Sequence, residues 1–188
     1  EVDVELLYAH ALTDFTRDDV DVGIRFGAGA YPDLHVERLL AEVAFPVCAP
    51  TYHPGALPKT PAELAASPRL LRSDDQMWAI WFKAAGLKGI PEPRRGVLYQ
   101  DSSNLLQAAM DGQGIAMLRR SIATEELASG RLVRLFDIDA PSRFAYWFVC
   151  PPPLLARARV QAFRTWLMEE VERFRAQFIA PPTPSDAR

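Results

Sequence analysis

The apolar residues of this chain follow two different periods, and the alternation of those periods limits the folds that it can adopt. Over residues 20–26 every second side chain is apolar, which is typical of a half-buried strand. From Val160 to Phe178 apolar side chains recur every three or four residues, which is typical of an amphipathic helix. Strand-like and helix-like segments alternate between these two, so the sequence predicts an α/β fold.

Further elements are predicted in the same way. Thr60 and Glu63, with Pro61 after the threonine, indicate the start of a helix. A strand at 96–100, a helix at 102–110 and a strand at 114–118 predict a parallel crossover. Other strands are predicted at 2–8, 36–47 (one or two strands), 70–72, 132–136 and 144–150, and other helices at 60–66, 76–85 and 121–127.

The composition of the chain argues against several classes of protein. With 188 residues, of which 49% are hydrophobic, the chain can bury the core of one domain or of two small lobes. A formal net charge of −3 argues against a surface that binds nucleic acid. No apolar run is long enough to span a bilayer. Cys48 and Cys150 are too few for a disulfide framework, so we predict reduced, buried thiols in a reducing cytoplasm.

Motifs for catalysis are weak. His10, His35 and His53 lie far apart, and none has a carboxylate or a cysteine at metal-ligand spacing. The glycine motif at 27–29 lacks the later glycine and the helix start of a dinucleotide-binding fingerprint. Because no set of nucleophile, base or metal ligands is visible, we expect no enzymatic activity, no cofactor and no metal.

One motif is suited to binding. The Asp-Ser-Ser-Asn segment at 101–104 follows a predicted strand and opens a predicted helix. The free N–H groups and the positive end of the dipole at a helix start favour an anion. Ordinary N-capping by one of these residues explains part of the motif, whereas three cap-type residues in a row exceed what one cap requires. On this motif alone, ligand binding and simple capping both stay open.

Five segments of the chain resemble LysR-type regulators. Residues 101–103 and 107–116 resemble the family's "DSS…QAA..GQGVA" segment, in the subgroup of the glycine-cleavage activator and the β-lactamase regulator. Four other segments agree in the same order along the chain: 21–27, 45–50, 71–73 with Trp78 and Trp81, and 146–151. The resemblance extends from residue 2 to residue 171, nearly the whole chain.

The resemblance implies two α/β lobes like those of periplasmic binding proteins, joined by two crossover strands that end at Cys48 and Cys150. Lobe I would comprise residues 1–48 and 151–180, lobe II residues 49–150, and residues 181–188 would form a flexible tail. Two such domains would pair as a homodimer or larger oligomer. We expect the family's winged helix-turn-helix, which binds operator DNA, and the strand and helix that precede residue 2 in the family to be missing from this chain.

The resemblance also implies an effector site in the cleft between the lobes. Carried over by position, its residues would be Asp14, Gly27, Ser102, Ser103 and Tyr146. Asp14 could instead be a solvated loop acid, and Tyr146 could simply pack its ring with its hydroxyl bonded. Gly27 would let the backbone approach the ligand closely. One acid, several hydroxyl groups and a helix start would suit an amino-acid-like or peptide-like effector.

The resemblance therefore predicts the effector-sensing domain of a LysR-type transcription regulator, cytoplasmic and with no membrane partner. The alternative is the solute-binding protein of a transporter, because the two classes share this architecture. An enzyme such as a lyase would need a catalytic set that the sequence lacks. The match to the hinge motifs of the regulator subgroup and the two thiols, Cys48 and Cys150, favour the regulator.

Overall fold

Two compact units make up the chain. A computed structural model describes residues 2–8, 13–52 and 57–179; His10, His53 and the tail predicted at 181–188 lie outside them. Unit 1 comprises Glu1–Ala41 and Arg143–Arg188, and unit 2 comprises Glu42–Ser142. The chain therefore leaves unit 1, builds unit 2 and returns to unit 1.

Both units combine strands with helices, as the predicted α/β fold requires. The strands of the described part are β1 (Gly23–Gly27), β2 (His35–Cys48), β3 (Arg72–Ser73), β4 (Leu98–Tyr99), β5 (Ala116–Arg119), β6 (Val133–Arg134) and β7 (Ala140–Cys150). The helices are α1 (Pro61–Ala65), α2 (Met77–Ala84), α3 (Ser102–Met110), α4 (Arg120–Ala128), α5 (Pro152–Leu155) and α6 (Ala158–Phe178). No helix in the described part is long and apolar enough to cross a membrane.

The two longest strands, β2 and β7, belong to both units. The division between the units falls after Ala41 in β2 and after Ser142 in β7. These strands are neighbours in one sheet with the order β1-β7-β2-β5, and β6 also pairs with β2. The lobe ends predicted at residues 48 and 150 are the carboxyl ends of the same two strands. The difference concerns only where along each strand a lobe is taken to end.

Unit 1 is built on an antiparallel ladder between β1 and β7. The register runs from Gly23 opposite Val149 to Gly27 opposite Ala145. Helix α6 packs on β2 and β7 with the apolar stripe that its period predicted, so the terminal helix is confirmed. The buried core residues are Leu39, Leu40, Phe148, Cys150 and Val160, and Phe163, Leu167, Val171 and Phe174 of the helix pack against them.

The parallel arrangement predicted in unit 2 is confirmed. Strands β3 and β4 pair in parallel, and Leu70 forms a parallel bridge with Ile115 just before β5 begins. The segment from Leu70 to Ser73 therefore lies beside the start of the β5 segment at its beginning and beside β4 at its end, and all three run in one direction. Strand β5 then pairs antiparallel with the end of β2.

Helix α2 is fixed to the core of unit 2 by two tryptophans. Trp78 and Trp81 are fully buried, at 1% and 0% exposure. The indole N–H of Trp78 donates to the carbonyl oxygen of Leu71 at 2.9 Å, and that of Trp81 donates to Ile138 at 2.9 Å. Each ring therefore buries a large apolar surface while its one polar group stays satisfied.

The strand predicted at residues 2–8 is wrong. These residues have no regular structure, and Val4 and Leu6, on the side expected to be buried, are 55% and 87% exposed. A strand requires a neighbour for its N–H and C=O groups and a surface for its apolar face. In the described part of the chain β1 pairs only with β7, and residues 2–8 form no ladder with its open edge, so their apolar side chains gain no buried face.

Smaller differences concern the ends of elements. Residues 36–47 lie in one continuous strand, not two, while the strands predicted at 96–100 and 132–136 retain only Leu98–Tyr99 and Val133–Arg134. Thr60 caps α1 as predicted and accepts the N–H of Glu63 at 3.2 Å. The Glu63 carboxylate accepts the N–H of Lys59 at 2.8 Å, one residue before the position that a capping box uses.

Both cysteines are free thiols buried at the ends of the two long strands. Burial raises the pKa of Cys48 to about 11. Burial and the nearby Glu37 carboxylate also raise the pKa of Cys150. Since the thiolate is the reactive form, these shifts favour inert packing groups over nucleophiles.

A buried carboxyl group in β2 lies at the start of α4. Glu42 is only 4% exposed, and its Oε2 accepts the N–H of Ser121 at 3.5 Å. Its Oε1 has no hydrogen-bond partner in the described part of the chain. Burial raises the pKa of Glu42, although the Ser121 bond and the nearby Arg119 and Arg120 act in the opposite direction. Ionised Glu42 therefore weakens the folded state.

We predict that Glu42→Gln increases the free energy of unfolding at neutral pH. Because the pKa is raised on folding, the protonated carboxyl contributes stability at acid pH, and that contribution is lost as the pH rises to the raised pKa. Glutamine resembles the protonated carboxyl group at every pH. The increase in the free energy of unfolding should therefore disappear at acid pH, where Glu42 itself is protonated. Urea unfolding at acid and neutral pH measures it, with exposed Glu125→Gln of α4 as the control for loss of one charge. A loss of stability at neutral pH would contradict the prediction.

Candidate functional site

A polar cluster in unit 2 forms where three parallel segments end. Strand β3 ends at Ser73, β4 is followed by Asp101 and Ser102, and the segment that contains β5 ends at Arg119. In open α/β sheets, binding residues gather at the carboxyl ends of parallel strands, since the loops and helix starts there converge. The topology of unit 2 therefore brings these side chains together.

Arg119 is the centre of this cluster. Its Nη2 donates to Ser102 Oγ at 2.8 Å, and its Nη1 lies 3.6 Å from Asp75 Oδ2. The Ser73 hydroxyl donates in turn to the Asp75 carboxylate. Because Ser102 Oγ accepts from the guanidinium, its own proton is available to donate to a ligand.

Arg119 and Asp75 are site residues that sequence reasoning missed. Neither belongs to a recognisable motif, and their sequence neighbours look like ordinary loop and helix-start residues. The signal that could have found them is their position just after predicted strands at 70–72 and 114–118. What the sequence does not reveal is that these strand ends meet.

The start of α3 is already capped, which corrects the expectation of unpaired N–H groups for an anion. Asp101 Oδ1 accepts the N–H of Ser103 at 2.9 Å and that of Asn104 at 3.0 Å. A carboxylate from the protein itself thus takes the place that an anionic ligand would use. The hydroxyl of Ser103 is exposed and makes no hydrogen bond within the described residues, so this side chain is not needed for the cap.

In unit 1, Gly27 is the last residue of β1 and lies close to the side chains of Trp147 and Tyr31. Its carbonyl oxygen accepts the indole N–H of Trp147 at 2.8 Å. A Cβ at Gly27 would lie 2.5 Å from the Tyr31 hydroxyl oxygen, so the Tyr31 side chain would have to shift to admit one. The close approach at Gly27 is therefore an approach to Tyr31.

Asp14 lies in a turn before β1. Its Oδ1 accepts the N–H of Thr16 at 3.0 Å and the Thr16 hydroxyl at 2.6 Å, as in an Asx-turn. These bonds, the side-chain bond first, hold the pKa of Asp14 below its usual value. The carboxylate is exposed and stays ionised, so it can still meet a cationic group.

Tyr146 lies on the other face of the β1–β7 ladder. Residues directly opposite each other share a face, so Phe26 and Tyr146 point one way while Gly27 and Ala145 point the other. The rings of Phe26 and Tyr146 are 5.0 Å apart, and Tyr146 packs against the core under α6. The structure thus separates Tyr146 from Gly27 within unit 1.

The loop of Asp14 is on the face of Gly27. The ring of Phe15 lies 3.4 Å from the position that a Cβ at Gly23 would take. Gly23 is four residues before Gly27 on the same strand, so the two residues share a face. Arg25, on the same face, reaches the carbonyl oxygen of Thr13 at 3.4 Å. Arg25 was not among the residues carried over from the family resemblance.

Metal chemistry has no support within the described residues. No group of three or more His, Cys, Asp or Glu side chains in residues 2–8, 13–52 and 57–179 could hold a metal ion. His35 instead contacts the Glu37 carboxylate, which Arg164 also binds through two nitrogens at 2.8 and 2.7 Å. This histidine therefore belongs to an ion-pair network between β2 and α6.

Comparison with known proteins identifies a family. Residues 1–172 match the family described as "LysR substrate binding domain". The chain is 35% identical over 182 residues to the glycine cleavage system transcriptional activator of Escherichia coli (strain K12), which covers 94% of this chain and 59% of that protein. It is 30% identical over 169 residues to the HTH-type transcriptional activator AmpR of Citrobacter freundii, covering 88% and 56%. The chain thus spans less than two thirds of the length of these relatives.

A solved structure shares the fold. The effector domain of the transcriptional regulator AmpR of Pseudomonas aeruginosa superposes with a TM-score of 0.76 at 27% sequence identity, covering 89% of this chain and 80% of that one. This similarity confirms the two-lobe α/β fold of the periplasmic-binding-protein type that the sequence resemblance implied.

We predict that Asp101→Ala destabilises the chain and that Ser103→Ala does not. Loss of an N-cap costs about 1 kcal/mol, whereas an exposed side chain without a hydrogen bond contributes less than about 0.5 kcal/mol. Asp101→Asn, which caps nearly as well as aspartate, is the matched control and should stay close to the original protein. Urea unfolding measures all three, and equal losses for Asp101→Ala and Ser103→Ala would refute the assignment of the cap.

Proposed function

Because this chain belongs to the family of LysR substrate-binding domains, we propose that it is the effector-sensing part of a longer transcription regulator. Its relatives by sequence are transcriptional activators, which favours this role over that of a solute-binding protein for a transporter. The DNA-binding activity and the target genes would belong to the whole protein. For the chain itself we infer binding of a small molecule and no catalysis.

The observation that supports this proposal most directly is the polar cluster at the strand ends of unit 2. Arg119 donates a hydrogen bond to the Ser102 hydroxyl, and Asp75 forms an ion pair with Arg119. These contacts fix the orientation of the hydroxyl before any ligand binds. Ser103 beside it is exposed and unused by the fold. Preorganised hydroxyl groups of this kind bind a ligand with little loss of side-chain entropy.

We propose Ser102 and Ser103 of unit 2 and Asp14 and Gly27 of unit 1 as effector-binding residues; Tyr146, which packs under α6 on the other face of the β1–β7 ladder, is given no effector contact. Asp14 offers an ionised carboxylate to an ammonium or amide group. An acid and several hydroxyl groups suit an effector that resembles an amino acid or a short peptide.

The proposed mechanism is a shift between conformations of the regulator. A ligand can change such an equilibrium only by binding one conformation more tightly than the other. An effector that makes different contacts in the two conformations would have that difference in affinity. The longer protein would transmit the change to its DNA-binding domain and alter its fit to the operator.

We predict that a panel of amino acids and di- and tripeptides contains a ligand that stabilises the chain in thermal unfolding, with calorimetry to measure affinity. Ser103→Ala should weaken binding by about 0.5–1.5 kcal/mol if it bonds a neutral group, and by about 1.5–3 kcal/mol if it bonds a charged one. Because Ser103 is not the cap of α3, its variant separates binding from stability. Unchanged affinity in Ser102→Ala, Ser103→Ala and Asp14→Ala alike would place the site elsewhere.

We further propose that the chain self-associates. Several large apolar side chains are exposed, among them Trp166 at 51% and Val97 at 64%, and such surface favours association when it lies in a continuous patch. Multi-angle light scattering over a range of concentrations should show a dimer or a larger species. A monomer at the highest concentrations would contradict this proposal.

A further inference from the structure

Half-buried arginines in the described part of this chain are mostly paired with a carboxylate. Five of them form such ion pairs: Arg119, Arg120, Arg134, Arg164 and Arg175. Arg25 and Arg72 have no acidic partner among the described residues, and Arg72 donates to the Gly96 carbonyl oxygen at 3.2 Å. A partly desolvated cation normally acquires a partner, so Arg25 requires an explanation.

The guanidinium of Arg25 is held by aromatic rings. Its Cζ lies 6.0 Å from the ring centroid of Phe15 and 5.3 Å from that of Tyr31. Its hydrogen bond to a described residue is the long one to the Thr13 carbonyl oxygen, at 3.4 Å. A guanidinium carries five N–H donors in its plane, so most of them are available. The rings fix the position of the cation without using its donors.

Arg25 also lies among the site residues of unit 1. It shares a strand face with Gly27, whose position Tyr31 restricts, and it bonds the residue just before Asp14. Tyr31 therefore links the cation to Gly27, and Thr13 links it to Asp14. A ligand that contacts either of these residues comes close to the free donors of Arg25.

The other cationic element of the site is not available to an anion. The start of α3 already carries the Asp101 carboxylate, and Arg119 is paired with Asp75. A second carboxylate there would be repelled by Asp101. An effector with a carboxylate thus needs a different partner.

We propose that Arg25 binds the carboxylate of the effector, which makes the effector a small molecule with a free carboxylate group. This inference rests on the proposed function, since it places Arg25 in the effector site with Asp14 and Gly27. The planar fork of a guanidinium matches the two oxygens of a carboxylate, so both can be bonded at once. The aromatic contacts supply the orientation that such a bidentate pair needs.

A pair of simple probes tests the proposal without knowledge of the effector. N-acetylglycine carries a carboxylate beside an amide, and N-acetylglycinamide has the same shape without the charge. Each is titrated into the 15N-labelled 188-residue chain at constant ionic strength, with the arginine Nε–H signals followed by NMR. N-acetylglycine should shift the Arg25 signal in a saturable way, and N-acetylglycinamide should not. The Arg72 signal is the internal control and should not move.

Variants give a second measurement. Arg25→Gln identifies the Arg25 signal by its absence and should weaken N-acetylglycine binding at least about tenfold in calorimetry, as expected for a lost charged hydrogen bond. Arg25→Lys, which keeps the charge but not the fork, should give an intermediate loss. Arg72→Gln should leave the affinity unchanged. The titration of the unaltered chain keeps the test valid even if a variant at Arg25 fails to fold.

The outcomes separate this inference from the function on which it rests. Absence of a saturable shift at Arg25, an equal response to both probes, or full binding by folded Arg25→Gln would overturn the carboxylate site. A saturable shift by N-acetylglycine, with no ligand found among the amino acids and peptides, would support the carboxylate site and count against the proposed effector class.

Discussion

The sharing of β2 and β7 between the two units, with the carboxyl-terminal residues of both strands buried, is the constraint on which the rest of the structure depends. Each strand runs through both units, so neither unit can fold without a part of each strand. Phe45, Val47, Cys48, Phe148 and Cys150 are at most 2% exposed. Every hydrophobic cluster of the described chain includes residues of these strands: Ala44 and Cys48 in one, Phe45 and Val47 in the next, and Leu39 and Phe148 in the third.

That constraint also accounts for where polar chemistry can occur. Interior stretches of the two long strands are apolar, and buried polar groups there, such as Glu42, weaken the fold. At the ends of β3, β4 and β5 the chain turns into loops and helix starts, where polar side chains can bond one another and stay accessible. The cluster of Ser73, Asp75, Ser102 and Arg119 arises there because parallel segments deliver their carboxyl ends to one place.

The sequence predicted the elements whose apolar residues follow a local period. It did not predict features that depend on contact with a distant segment of the chain. The stripe of α6 and the strand–helix–strand unit around α3 could be read directly, because burial of one face leaves a period in the sequence. The alternation in residues 2–8 indicates a strand only if another strand pairs with it, and none of the described strands does. Arg119 and Asp75 were missed because the meeting of distant strand ends leaves no local signal. The cap of α3 was predicted within 101–104 but not assigned to Asp101, because the neighbouring residues are also of the capping type.

Some of the candidate site residues have a clear structural role in the fold, and others have none. Residues without a structural role are the better candidates for ligand binding. Gly27 leaves space for the Tyr31 hydroxyl, and Asp101 caps the start of α3, so both residues have a role in the fold without a ligand. Ser103 has an exposed hydroxyl without a bond, and Arg25 is a half-buried cation without a carboxylate among the described residues. A half-buried cation gains from a bound anion, and an exposed hydroxyl can exchange its bond to water for one to a ligand without loss to the fold. Under the proposed function these two side chains are therefore the ones on which an effector would act.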